Sequence, residues 1–297
     1  MKTRGSFFKK KNSLYSYKLL APVLILYCVF FVLPVLMGFG YSFTDWRVDA
    51  DKINFCGLKN FVRIANDKTI ILALVNTLKF TVVTVIFKNI LGLALATLLN
   101  RKIKSRNVLR GIFYLPSILS TVAVGVVFTS ILHPEGVLNQ FFNQIGLGML
   151  AGNWLDSKAL VMYSISGVAI WMQAGFHMTI YLSGYQSISD EYYDAAKIDG
   201  ANSLQQLWYV SIPMLKAAIN MNIMLSMISG LKVFTEVFVM TNGGPGNSSQ
   251  VLSTMVYKYF GNGNWGLGTA MNTVLFLLVA VITGPLLMHM RKGEVEA

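Results

Sequence analysis

Charge is scarce in this chain. Only 13% of its 297 residues are Asp, Glu, Lys or Arg, about half the share in a typical globular domain. By contrast 54% are hydrophobic, and the mean hydropathy is +0.55. That excludes a soluble domain, because the apolar residues are too many for one core and fall in runs about as long as a bilayer is thick. Cysteine is almost absent: Cys28 lies in the first apolar run and Cys56 beyond its far end, so neither a disulfide framework nor a C-x-x-C metal site exists. His133, His177 and His289 are scattered without an i,i+4 pair, and no metal site is expected. Acids are outnumbered 13 to 25, for a net charge of +12. The excess bases flank apolar runs instead of gathering on one face, which argues against a nucleic-acid partner and for a chain oriented in lipid. No Gly-Lys dipeptide occurs, so there is no P-loop to cradle phosphates. No catalytic residue and no cofactor bound by this chain are expected.

What is present is a set of six apolar runs. The first, 19–41, is 23 residues long, or roughly 34 Å as a helix, enough to cross the hydrocarbon core. Its basic leader, 1–18, resembles the n-region of a signal peptide. The run exceeds a usual h-region, however, and no A-x-A site follows, so it reads as an uncleaved first span. A loop at 42–75 precedes a core at 76–290, whose spans are expected at about 76–99, 111–132, 160–182, 217–240 and 268–290, before a tail at 291–297. Helices satisfy their own backbone in lipid, whereas strands would have to close into a barrel and would alternate with period two. The fold class is therefore an all-α integral membrane protein with six transmembrane helices. With both termini inside, the inner segments carry fifteen bases and the outer loops seven. Arg101, Lys102, Lys104, Arg106 and Arg110, without an acid among them, are the clearest marker.

The inner segment 183–216 breaks that pattern, with Asp190, Glu191, Asp194 and Asp199 against Lys197 and Lys216. Either it meets another protein or it is a solvated loop. Serines and acids crowd the start of a short helix and Gly200 follows its end. A second helix has Ser203 and Gln206 at capping-box spacing and Pro213 as its stop. A helix–turn–helix results. Asp194-Ala195-Ala196, Asp199-Gly200-Ala201, Leu207 and Ile212-Pro213 resemble the EAA motif of ABC-importer permeases, with Asp194 for the usual Glu, Leu207 for Phe, and Ala217 where a second Pro is common. The resemblance runs along nearly the whole chain. Gly57-Leu58-Lys59-Asn60-Phe61, Asn76-Thr77-Leu78, Tyr114-Leu115-Pro116, and Phe234 ahead of Thr241-Asn242-Gly243-Gly244-Pro245 and Tyr257-Lys258-Tyr259-Phe260 are similar to sugar-importer permeases, on the side of the larger maltose-transporter subunit and the related multiple-sugar and glycerol-phosphate permeases.

The resemblance implies a subunit of a binding-protein-dependent importer in a prokaryotic cytoplasmic membrane. It would be partnered by a second permease, two ATPase subunits that hold ATP and Mg, and an extracytoplasmic sugar-binding protein. Loop 190–213 would be the coupling segment, with Asp194, Ala195, Ala196, Asp199, Gly200 and Ala201 at the ATPase. The spans flanking it would line the substrate path, which points to Gln173 and Phe176 on one and to Ser226, Ser229, Gly230, Val233 and Glu236 on the other. From the residues alone, that stripe can equally be helix packing. Lys232 and Glu236, four apart, can form a structural pair. Lys79 sits near a span end where it can snorkel, and Lys88 is ambiguous. His177 suits hydrogen bonding between helices better than a path. Trp154, Trp171, Tyr257, Tyr259 and Trp265 suit headgroup anchoring. An ion-coupled secondary transporter is the rival class, though only Glu236 could serve it and no internal repeat is visible. A non-sugar ABC permease is the other alternative.

Overall fold

The computed structural model describes residues 17–101 and 104–295. The leader bases Lys2, Arg4, Lys9, Lys10 and Lys11, together with Lys102 and the last two residues, lie outside the described residues. Among those described the chain is helical, and its extended pairing is a single antiparallel bridge between Thr44 and Phe55. In chain order, α1 joins Tyr17–Tyr27 to Leu33–Tyr41 through a π turn, α2 is Lys59–Asn66, α3 Lys68–Leu99, α4 Arg106–Ile118, α5 Thr121–Ile131, α6 Val137–Gln144 and α7 Val161–Gln186. Then come α8 at Asp190–Ile198, α9 at Ser203–Met214, α10 at Lys216–Leu231, α11 at Thr235–Thr241, α12 at Leu252–Gly261 and α13 at Trp265–Val295.

Helix α3 explains how the bundle holds together. Asp67 opens it by accepting from the backbone amides of Thr69 (2.8 Å) and Ile70 (3.4 Å). Among its buried positions, Ile70, Ala73, Thr77, Phe80, Thr84, Lys88, Gly92, Ala96 and Leu99 recur every three or four residues and keep one stripe inward, which Asn76 and Thr81 widen. That stripe is largely small or polar, while Val82, Ile86, Phe87 and Ile90 are exposed on other faces. This is the pattern of a helix that shows lipid its apolar side and packs through small residues. The Thr77, Thr81 and Thr84 hydroxyls donate to carbonyls four residues back at 2.7, 2.7 and 2.8 Å, so none enters the bundle unsatisfied. Helix α7 packs against α3, α4 and α10. Where it meets α4, a Cβ on Gly175 would overlap the Phe113 carbonyl, so this crossing requires glycine. Apolar packing concentrates around Ile165 and Val237, where α5, α7 and α11 meet, around Met271 on α13, and around Tyr181 and Leu215 at the opposite end of α7.

Three helices, Leu20–Tyr41, Lys68–Leu99 and Trp265–Met290, are each long and apolar enough to cross a membrane, and up to five spans result if each of two bent pairs, α4 with α5 and α9 with α10, counts as one. Two expected spans are not single helices. The run 111–132 is divided at Leu119 and Ser120 into α4 and α5, which lie 92° apart. Pro116, one turn before the break, cannot donate into the ladder. The run 217–240 stops at Leu231 and resumes at Thr235. Phe234, with φ −141° and ψ −61°, stands outside helical geometry in between. Helices α3 and α13 start earlier than the apolar pattern implies, α3 because Asp67 caps a polar first turn at Lys68 and α13 at Trp265, whereas α7 starts at Val161, where it is expected.

The segment between α1 and α2 folds on its own side chains. Asn60 Nδ2 donates to the carbonyls of Ser42 (3.0 Å) and Thr44 (2.8 Å), and the Asn54 amide donates to Asp45 Oδ1 at 2.8 Å. That amide holds the Asp45 carboxyl below the usual carboxylate range. Trp46 bridges Tyr41 (ring centroids 4.4 Å apart) to Trp265 (4.7 Å), tying the end of α1 to the start of α13.

Candidate functional site

Loop 190–213 is closed at both ends of its first helix. Ser189 Oγ accepts from the Glu191 amide (3.4 Å), and Asp190 and Glu191 occupy the first turn of α8, where negative charge meets the positive helix end. The helix leaves through Gly200 at φ +81°. The Gly200 amide donates to the Lys197 carbonyl (3.0 Å) and the Ala201 amide to that of Ala196 (2.9 Å), the paired closure of a Schellman exit. The cap of α9 is one residue earlier than the sequence suggests: Asn202, not Ser203, accepts from Leu204 and Gln205, and Gln205, not Gln206, returns to the Asn202 amide at 2.8 Å. An Asn side chain captures the free amides as well as Ser does. Nor does Pro213 stop the helix. It follows a π turn at Leu207–Ser211 and sits at the first turn of the next segment, where a missing amide costs nothing. The break falls at Leu215, with a 72° bend into α10.

Asp194, Ala195, Asp199 and Gly200 are exposed, and Ala196 and Ala201 half-buried. Lys197 Nζ donates to Asp194 Oδ1 at 2.8 Å, which raises the lysine above its usual range. So exposed a pair adds little stability. The same segment leaves large apolar side chains in the open: Ile198 is 87% and Tyr209 80% exposed, with Tyr192, Leu204 and Trp208 also exposed. Apolar side chains displayed this way suit a contact surface. A cleft of about 470 Å³ lies behind it, lined by Thr97, Arg101, Tyr185, Asp190, Asp194 and Lys197 among others.

On the other side of that bend, the expected stripe divides. Ser226, Gly230 and Val233 are buried within the chain. Ser226 Oγ donates to the Asn222 carbonyl (2.7 Å) and accepts from Asn89 Nδ2 (3.1 Å), while Gly230 lies against Thr81 so closely that a Cβ would stand 3.0 Å from its Cα. Ser229 is exposed and Glu236 half-buried. The i,i+4 pairing of Lys232 with Glu236 does not form as a helical pair, because α10 ends at Leu231, the next helix starts at Thr235, and Lys232 is exposed. On α7, Phe176 is 37% exposed and Gln173 half-buried.

Between α3, α7 and α10 the structure assembles a polar layer. Lys88, 2% exposed, donates through Nζ to Gln173 Oε1 at 2.9 Å. His177 Nδ1 and Asn222 Oδ1 are 2.7 Å apart, in keeping with a role between helices. The Tyr181 hydroxyl donates to Asn89 Oδ1 at 2.7 Å. Asn89, Tyr181 and Asn222 carry no motif. Their one visible signal is polarity inside an apolar run.

The model of the family described as "binding-protein-dependent transport system inner membrane component" matches residues 88–290. The chain is 31% identical to the probable starch degradation products transport system permease protein of Thermoanaerobacterium thermosulfurigenes, over 100% of both. It is 35% identical to a probable ABC transporter permease protein of Pyrococcus horikoshii, over 93% of this chain and 95% of that one. Among solved structures it superposes, with a TM-score of 0.81 at 24% identity over 93% and 94% of the two chains, on a chain of a bacterial ABC transporter involved in the import of the acidic polysaccharide alginate. An all-helical membrane fold, matched along almost its full length, thus places this chain in the binding-protein-dependent transport system inner membrane component family.

Proposed function

We propose that this chain is one of two permease subunits of an ATP-driven importer for a sugar or oligosaccharide in a prokaryotic cytoplasmic membrane. The observation that carries the reading is the broken helix at Lys232–Phe234. Helix α10 has 16 residues, about 24 Å, short of a hydrocarbon core of about 30 Å. With α11 it completes one span whose irregular backbone falls at membrane depth, and such backbone is tolerated there only inside protein or along a water-filled path. On this reading the spans are six: α1, α3, α4 with α5, α7, α10 with α11, and α13. Both termini and loop 190–213 then face the cytoplasm, as the basic loop at 101–110 favours. Gln173, Phe176, Ser229 and Glu236 border the path, and Ser226, Gly230 and Val233 support it from behind. The substrate class rests on the names of relatives.

The ATP and Mg belong to ATPase subunits, which dock on the open face of loop 190–213. Closure of the ATPase pair pulls α8 and α9 and swings the spans between outward- and inward-open arrangements, after an extracytoplasmic binding protein has delivered the sugar. A photo-crosslinker at Ile198 in the assembled complex tests this. It is expected to trap the ATPase subunit, and capture of the second permease or lipid alone would overturn the docking assignment.

A further inference from the structure

We infer that Lys88 is a positioning residue that holds the Gln173 amide by its carbonyl, so that the N–H donors of Gln173 are the end left for the solute. The inference rests on the reading of Gln173 as path-lining and adds a specificity element to it. Lysine has donors only. The Gln173 atom 2.9 Å from Nζ is therefore its oxygen by chemistry, not by assignment. With Lys88 on Oε1, the amide can no longer flip freely, and its opposite end carries the two N–H groups, while Oε1 keeps a second lone pair.

The other buried polar groups of this layer do not need Lys88. His177 is paired with Asn222, and Tyr181 with Asn89, which in turn reaches Ser226. Nor does Lys88 complete a close ion pair, since its hydrogen-bond acceptor is the neutral amide of Gln173. A buried ammonium is costly where an apolar side chain of similar volume would pack as well. Its effect here is to polarise one amide. A donor-presenting amide suits solute atoms that accept: hydroxyl and ring oxygens of a sugar, or the carboxylate of a sugar acid. A free glutamine would offer its carbonyl to a hydroxyl equally well.

The test uses the full complex with both permeases, the ATPase subunits and binding protein loaded with its sugar, reading uptake kcat and the KM for loaded binding protein. Gln173→Leu is expected to lower kcat about two- to tenfold, the range of one hydrogen bond, with KM unchanged. Lys88→Met should do the same, Lys88→Arg should restore most of kcat because it still donates, and Lys88→Met/Gln173→Leu should be no worse than Gln173→Leu alone. If the two losses multiply in complexes of equal abundance and melting temperature, Lys88 does not act through Gln173 and the inference falls. Wild-type kcat in Lys88→Met also overturns it. Wild-type kcat in Gln173→Leu removes Gln173 from the path, and that failure belongs to the proposed function.

Discussion

Gly200 allows backbone strain to be separated from bulk at the coupling segment. Its φ of +81° lies where L residues with a Cβ are strained, and nothing stands within 4 Å of the position a Cβ would take. A substitution there therefore meets no neighbour, and its cost is the left-handed conformation itself, about 1–2 kcal/mol for an ordinary residue and more for a β-branched one. At 1.4 kcal/mol per factor of ten, about 1–2 kcal/mol corresponds to roughly 5- to 30-fold in the population of the native helix exit. Asparagine tolerates this region, so the expected order of damage is Gly200→Asn, then Gly200→Ala, then Gly200→Val, with Asn close to wild type. The assay is stimulation of ATPase activity by loaded binding protein in the reconstituted complex. Subunit abundance should stay constant, because the loop is outside the bundle. Equal loss in Asn and Val would refute the reasoning, since it would mean that the surface tolerates no side chain at all, whatever its φ preference.

Ser226 and Ser229, one turn apart, should part company. Leucine at buried Ser226 overpacks the contact with α3, at a cost of about 1–3 kcal/mol, and strips Asn89 of a partner, so it should lower abundance and melting temperature. Leucine at exposed Ser229 should leave both unchanged and depress uptake, whereas Ser229→Ala loses one hydrogen bond, about 0.5–1.5 kcal/mol, and should cost several-fold at most. For orientation, with Cys28 and Cys56 replaced, an impermeant thiol reagent should label a cysteine at Met149, which is 89% exposed, in intact cells and leave one at Ser105 unlabelled. The reverse pattern would overturn the topology.

The parts of this fold legible in the sequence are those dictated by local chemistry. Length and apolarity place α1, α3 and α13 within a few residues at their apolar ends, and acids, Gly200 and small residues place α8. Breaks inside apolar runs were harder to see, because hydropathy is blind to them. Pro116 announces the bend after α4 only to a reader weighing the missing donor against the apolar run. At 232–234 the signal is a lysine followed by a β-branched residue and a ring. Of the polar layer, His177 was legible as an interhelical group but the pairings were not: the partner of Lys88 is 85 residues away and that of Asn89 137 away. Which face of a helix turns inward is decided by such partners. For the same reason the stripe 226–233 looked continuous in sequence, yet only Ser229 is left open by the neighbours that cover Ser226 and Gly230.

The central claim is that this chain carries solute only as the membrane half of an ATP-driven assembly. Uptake of labelled oligosaccharide into proteoliposomes tests it most directly, using the chain with its partner permease and ATPase subunits, ATP inside and loaded binding protein outside. Accumulation should require ATP and binding protein, stop in Gly200→Val, and persist when proton and sodium gradients are collapsed. Accumulation by this chain alone, driven by an ion gradient and indifferent to ATP, would contradict the account.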